Sequence, residues 1–125
     1  LRERIAALQA RYPSRFGVHV EDLGSGETFS VNAEQAWYLA SGVKLPVAVE
    51  TLRQVDQGRL ALDRTIRLEE ADKLDGAGET NSQAAGTRLS VRYLLEQMLI
   101  HSDNTASDLL IRQVGIENVN RWVRS

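Results

Sequence analysis

Leu1, Ile5, Leu8 and Tyr12 recur at intervals of three and four residues, which predicts an amphipathic helix over residues 1–12 with these four side chains on one stripe. Pro13 ends it, because a proline inside a helix removes a backbone donor and clashes with the preceding turn. Phe16, Val18 and Val20 then alternate with Gly17, His19 and Glu21, the two-residue period of a half-buried strand. Leu23-Gly24-Ser25-Gly26 is a glycine-rich turn, and Phe29 and Val31 resume the alternation, so the segment predicts a β-hairpin. Helical texture begins near Ala40: Val43, Val47, Leu52 and Val55 recur at helical spacing, Pro46 lies in the first turns where it is tolerated, and Gly58 ends the run. Asp63 to Leu68 reads as a short extended segment, and Ala71 to Thr87, rich in Gly, Asn, Asp and Ser, as a long loop.

Ser90 is placed to cap a helix running through Ile100, with Leu94, Leu95, Met98 and Leu99 as its buried side. A further helix over about Thr105 to Val114 stops at Gly115, and Ile116, Val119, Trp122 and Val123 begin another that continues to Ser125. The predicted order is therefore helix, two strands, then helices only. Two strands make too little sheet to stand alone, so the hairpin is expected to belong to a larger sheet.

Composition narrows the classes. At 125 residues, 42% hydrophobic and 26% charged, the chain has the size and make-up of one globular domain. Its net charge of −2 argues against a nucleic-acid or anionic-membrane surface. With no Cys there is no disulfide framework, thiolate nucleophile or thiolate metal site. No apolar run reaches the roughly 18 residues of a membrane span. Leu1-Arg2-Glu3-Arg4 does not open a signal peptide, and a start without Met implies processing or trimming.

Two short motifs carry candidate chemistry. In Ser41-Gly42-Val43-Lys44 a hydroxyl and an amine stand three positions apart at a predicted helix start, where i and i+3 side chains are neighbours. Desolvation and the positive helix end would both favour the neutral amine, letting Lys44 take the Ser41 proton, while the Ser41 backbone N–H could face a developing oxyanion. Alone, the pattern is far more often that of an N-capping serine followed by a surface lysine. Ser102-Asp103-Asn104 likewise has two readings. It can cap the next helix and fix a tight loop, or Ser102 can relay a proton to a leaving nitrogen while Asn104 bonds substrate and Lys44.

Together, in this order and with these flanks, the motifs resemble the serine β-lactamase and penicillin-binding protein superfamily, closest to class A β-lactamases and β-lactamase-like serine hydrolases. The resemblance runs through Ala40-Ser41-Gly42-Val43-Lys44-Leu45-Pro46, Asp56-Gln57-Gly58-Arg59-Leu60-Ala61-Leu62-Asp63 and Ile100-His101-Ser102-Asp103-Asn104-Thr105-Ala106, and on to Asn120-Arg121-Trp122. It implies an α+β fold, a helical lobe beside an antiparallel sheet, with residues 1–32 in the sheet lobe and 40–125 in the helical lobe of a single domain. It also implies β-lactam (amide) hydrolysis through an acyl-enzyme. Ser41 would be the nucleophile, Lys44 its activating amine and Ser102 a proton shuttle; Asn104 would bind substrate and Asp103 would brace the loop. No cofactor or metal is implied. The substrate would be a small β-lactam or peptidoglycan-like molecule, the location extracytoplasmic in a bacterium, and the oligomeric state stays open.

The chain departs from that family in two places. The family's later K-T-G motif is missing, since the only lysines are Lys44 and Lys73 and the latter precedes Leu74-Asp75; an E-x-x-L-N pattern is also missing. The expectation is an N-terminal portion of a larger enzyme, inactive in isolation, with a non-catalytic remnant as the alternative. Within the superfamily a D,D-peptidase, transpeptidase or esterase-type hydrolase is the runner-up.

The remaining prominent residues read as structural. His101 is expected to satisfy a carbonyl at a helix end, His19 to be solvated, and Trp37, Tyr38 and Trp122 to lie in the core or at its rim. Two histidines 82 positions apart do not make a metal site. The helix pair 106–123 is a poor helix-turn-helix: its glycine lies too far along and its second helix carries little positive charge.

Overall fold

A computed structural model describes residues 1–13 and 15–124, which fall into two compact units, Leu1–Tyr38 and Leu39–Ser125. Ser125, the expected end of the last helix, lies outside the described residues.

The first unit is a helix and a hairpin. Helix α1 spans Arg2–Arg11, and Tyr12 caps it just before Pro13. Strands β1 (Val18–Glu21) and β2 (Thr28–Val31) pair antiparallel, with Val18 opposite Val31 and Glu21 opposite Thr28. The turn between them is held by Asp22, whose carboxylate accepts the Gly24 and Ser25 backbone N–H groups at 2.9 and 2.8 Å. Those two bonds hold the Asp22 carboxyl below its ordinary pKa. Arg2 ties helix to hairpin by lying over the Phe29 ring, 5.1 Å from its centroid. Asn32 does so by donating to Gln9 and to the Phe16 carbonyl. Of the predicted stripe on α1 only Ile5 is buried; Leu1, Leu8 and Tyr12 are exposed. His19 is exposed as expected and shares a 2.7 Å hydrogen bond with Ser30 across the hairpin. Tyr38, expected at a core rim, is instead 96% exposed.

The second unit is built around α2 (Lys44–Asp56), which a 3-10 turn at Ala40–Val43 leads into. Helices α3 (Val91–Ile100), α4 (Asn104–Val114) and α5 (Ile116–Val123) pack against it. Val47, Leu68, Val91, Leu94, Met98 and Leu110 fill the core between them. Sequence cues account for the breaks: the Ser90 hydroxyl accepts from Tyr93 N–H at 3.1 Å to start α3, and Gly115, at φ +83°, turns the chain between α4 and α5.

Three expectations need correction. The chain is not helical throughout after the hairpin: β3 (Thr65–Arg67) and β4 (Arg88–Ser90) form a second antiparallel pair, with Ile66 opposite Leu89. β3 lies within the extended segment expected over 63–68, but its partner β4, three residues long and about twenty residues away, is too short and too non-local for periodicity to reveal. The loop over 71–87 contains 3-10 turns at Glu70–Asp72 and Thr80–Ser82. Finally, Val43, Leu52, Leu99, Trp122 and Val123 are exposed rather than buried. On α2 the inward face is instead Lys44, Val47, Ala48, Glu50, Thr51 and Gln54, which mixes polar with apolar residues.

The buried polar groups of that face are paired. Glu50 is fully buried; Arg53 and Gln54 each donate to it at 2.8 Å, and Gln54 also donates to the last carbonyl of α4, Val114 O, at 2.9 Å. Burial alone would raise the Glu50 pKa, but these donors outweigh it and hold the carboxyl below its ordinary value. Asp72 plays the same part for the loop. Its Oδ2 accepts Glu69 N–H at 2.8 Å and its Oδ1 accepts from Arg112 on α4 at 2.7 Å. Here too desolvation, which works to raise the pKa, loses to the two donors, and the pKa is lowered.

A lowered folded-state pKa stabilises above the ordinary carboxylate value and is lost as pH falls through the folded value. Asp72→Asn is therefore expected to cost about 1–2 kcal/mol at pH 7. The gap from wild type should narrow below about pH 4, as followed by urea denaturation at pH 7 and pH 3. Among the described residues the buried Thr80 hydroxyl has no hydrogen-bond partner. Thr80→Val, which removes that orphan at constant shape, should leave stability equal or raise it by up to about 1 kcal/mol in the same assay.

Candidate active site

The site forms where the start of α2 meets the corner between α3 and α4. Ala40, at φ +46°, bends the chain into the 3-10 turn that presents Ser41 at the surface. One turn later Lys44 points inward and is only 6% exposed. The opposing corner is made by Ser102, whose φ of +55° lies in the left-handed region that a residue with a side chain seldom occupies. That conformation reverses the chain between α3 and α4 and turns both the Ser102 carbonyl and its hydroxyl toward Lys44.

The ammonium then has three acceptors. Lys44 Nζ donates to the Ser102 carbonyl, to Ser102 Oγ at 2.9 Å and to Asn104 Oδ1 at 2.9 Å. Ser102 Oγ in turn lies 2.8 Å from Ser41 Oγ. Ser41, Lys44, Ser102 and Asn104, expected as site residues from sequence, are thus brought together by contacts spanning about sixty positions. The connection differs in one respect from a helix-neighbour pair. No hydrogen bond joins Lys44 directly to Ser41; the link runs through Ser102, because the lysine stem extends toward the corner rather than back over the 3-10 turn.

Asp103 faces away from this group and is buried. Its Oδ1 accepts Ala106 N–H, capping α4, and its Oδ2 accepts Thr80 N–H, both at 2.8 Å. Both oxygens are therefore engaged with backbone.

Thr80 belongs to a strap, residues 74–80, within the segment expected as a long loop. The strap runs along the Ser-Asp-Asn corner with matched bonds: Asn104 N–H to Ala77 O at 3.0 Å, Asn104 Nδ2 to Asp75 O at 3.2 Å, and Leu74 N–H to Thr105 Oγ1 at 2.9 Å. Because Nδ2 is held by Asp75, the amide oxygen of Asn104 is the end that meets Lys44. Two glycines permit the close approach. Gly76 and Gly78 have φ of +113° and +100°, and a side-chain carbon at either would run into the Asn104 amide or the Asp103 carboxylate. The Gly-x-Gly spacing was the one available sequence signal for this strap.

His101 ends α3, but its backbone N–H, not its ring, serves the Gln97 carbonyl, at 3.1 Å; the residue is exposed. Among the described residues no three His, Asp or Glu side chains converge as metal ligands, and no helix is long and apolar enough to cross a membrane.

With this geometry in place, comparison with known proteins is specific. The family model described as the beta-lactamase enzyme family matches residues 1–125. A β-lactamase of Streptomyces albus G is 32% identical over 128 residues, covering 98% of this chain and 41% of the relative. β-Lactamase L2 of Stenotrophomonas maltophilia is 34% identical over 110 residues, covering 88% of this chain and 36% of the relative. Among solved structures, a β-lactamase from Sphaerobacter thermophilus superposes with a TM-score of 0.82 at 35% identity, covering 96% of this chain and 46% of that one. A mutant of PBP-A, solved as its acyl-enzyme complex with penicillin G, gives 0.89 at 26% identity, covering 98% and 47%. The chain thus spans about two-fifths of the length of the curated relatives it matches. The sheet-and-helix architecture, the match along the full sequence and the likeness to solved β-lactamases agree, and the chain belongs to the beta-lactamase enzyme family.

Proposed function

We propose that the protein to which this chain belongs is a serine hydrolase of the class A β-lactamase type, opening a β-lactam amide through an acyl-enzyme. The observation that carries this reading is the hydrogen-bonded line from Lys44 Nζ to Ser102 Oγ to Ser41 Oγ, 2.9 and 2.8 Å long. Once it has given up a proton, Lys44 keeps its donor bonds to the Ser102 carbonyl and Asn104, and its lone pair can accept the Ser102 proton. Ser41 Oγ attacks the amide carbon; its proton passes to Ser102 Oγ as the Ser102 proton passes to Lys44. The carbonyl π electrons become the oxyanion, for which the Ser41 backbone N–H is a donor. When the tetrahedral intermediate collapses, the C–N bond breaks, and the proton on Lys44 returns through Ser102 to the leaving nitrogen. The product is an ester on Ser41, which water must cleave for turnover. Asn104, held by the strap, has one N–H of its amide left for the substrate, and Asp103 braces the corner.

In this reading both compact units belong to one domain, 1–32 contributing to the sheet lobe and 40–125 to the helical lobe. The substrate is a small β-lactam or peptidoglycan-like molecule. The protein works outside the cytoplasm of a bacterium. The likeness to PBP-A favours one second reading, a D,D-peptidase or transpeptidase in which the acyl-enzyme is long-lived.

Incubation with a fluorescent penicillin, followed by peptide mass mapping, tests the chemistry. Label is expected on Ser41, absent in Ser41→Ala and about 10²–10⁴-fold slower in Lys44→Ala. Label elsewhere, or label indifferent to Ser41→Ala, would refute the assignment. The isolated chain should not turn over a chromogenic cephalosporin, and Ser41-dependent steady hydrolysis would overturn that expectation. Gly78→Ala, which pushes on Asp103, should slow labelling of Ser41 by about tenfold or more, since displacements of the order of 1 Å at a positioned group cost up to 10²-fold.

A further inference from the structure

Tyr93, Gln97 and His101 stand at i, i+4 and i+8 along α3 and its cap, so they share one face, distinct from the face that buries Leu94, Leu95 and Met98. On a convex surface such a polar face would meet only water. Here the strap stands opposite it, and Gly78 and Glu79 close a cavity of about 480 Å³ against the three residues. Tyr93 and Gln97 are half-buried there, while Glu79 and His101 are exposed. The walls are fixed to the Ser-Asp-Asn corner on both sides. Gly78, at φ +100°, lets the strap come close to the Asp103 carboxylate, and Thr80, next to Glu79, donates its N–H to that carboxylate at 2.8 Å. On the other side His101 directly precedes Ser102. None of the cavity's side chains belongs to the hydrogen-bonded line from Lys44 to Ser41.

The polar groups of this cavity are mostly unused. Among the described residues the Glu79 carboxylate, the Gln97 amide and the His101 ring have no hydrogen-bond or ion-pair partner. The Tyr93 hydroxyl accepts from Gln83 at 2.7 Å and keeps its own proton to donate. That inventory decides the class of ligand. A carboxylate only accepts, the phenol donates, and an amide and an imidazole do both. An ammonium ligand would leave the donors unmet, and a carboxylate or phosphate ligand would meet Glu79 as a like charge. Hydroxyl and acetamido groups donate and accept at once. The cavity also far exceeds the roughly 30 Å³ that a water molecule occupies, so it has room for more than hydration.

We infer that this cavity binds a neutral saccharide bearing acetamido groups, a chain of N-acetylated sugars. The inference goes beyond the serine chemistry and does not depend on it. Taken with that chemistry, it favours a peptidoglycan-like substrate, in which the amide reaching Ser41 is attached to such a chain.

The test titrates the 125-residue chain with the β-1,4-linked trimer of N-acetylglucosamine, followed by calorimetry and by amide chemical shifts. Saturable one-to-one binding is expected, with shifts centred on residues 78–79, 93, 97 and 101. Glu79→Ala and Gln97→Ala should each weaken it about tenfold. The thermal melt of Glu79→Ala should stay unchanged, since that side chain has no partner to lose. The corresponding trimer of glucose, which lacks acetamido groups, should bind about tenfold more weakly or worse. No saturation by about 10 mM, shifts centred elsewhere, indifference to both substitutions, or equal binding of the glucose trimer would overturn the inference. So would spermidine binding the same residues more tightly than the sugar, which would make the cavity a cation site. Ser41→Ala should bind the N-acetylated trimer as the wild type does. Trimer binding without penicillin labelling of the wild type would sink the serine reading alone, and labelling without trimer binding would sink this inference alone.

Discussion

A lysine removed from water must be given acceptors, and the arrangement of the second unit follows from how Lys44 obtains them. The carbonyl and hydroxyl of Ser102 and the amide oxygen of Asn104 supply three, one for each ammonium hydrogen. None comes from the helix that carries the lysine. They come from the corner between α3 and α4, about sixty positions away, so the lysine ties the start of α2 to that corner. An unpaired buried charge costs several kcal/mol, which makes this corner intolerant of displacement. The left-handed backbone of Ser102 belongs to the same solution. A serine in an ordinary helical or extended conformation could not turn both its oxygens on one amine, so the corner holds about 1–3 kcal/mol of backbone strain that the surrounding bonds must offset.

What offsets it is largely backbone. Asp103 spends both carboxylate oxygens on N–H groups, one at the start of α4 and one in the strap, and thereby links a helix cap to a loop. The strap answers with bonds to Asn104 and Thr105, so three consecutive residues of the corner are each held from the same side. This explains why an acidic residue stands between two residues that face the lysine. Its neighbours do the facing, while it fixes the register in which they do so. A carboxylate with all its strong acceptor sites turned toward backbone is poorly placed for substrate and well placed for positioning.

Elements with a sharp chemical boundary are legible from local signals. Ser90 capping α3, Gly115 after α4, Pro13 after α1 and the glycine-rich hairpin turn all act within a few residues, and each element formed where its signal stands. The two motifs were legible for the same reason, although the path from Lys44 to Ser41 was not. Spacing along one helix suggests a direct bond, and only the corner's three-dimensional position shows that Ser102 intervenes. Pairing of β3 with β4 stayed hidden because it depends on twenty intervening residues. The inward face of α2 stayed hidden because Glu50, Thr51 and Gln54 read as surface residues until their partners are known. Hydrophobicity then assigned Leu52 to a core face that polar residues of the same helix occupy.

That arrangement has a physical rationale. Burying Glu50 and Gln54 on α2 is worthwhile only because Gln54 reaches the final carbonyl of α4, and through it the turn at Gly115 that launches α5. The helix therefore uses its polar inward groups to fix the directions of its neighbours, and its remaining leucines are left on the opposite side. A helix that lay at the edge of its domain would gain nothing from leucine at those positions, where glutamate or lysine favours solubility and helix formation equally well. Leu45, Val49 and Leu52 are exposed on the side of the helix opposite its buried polar groups.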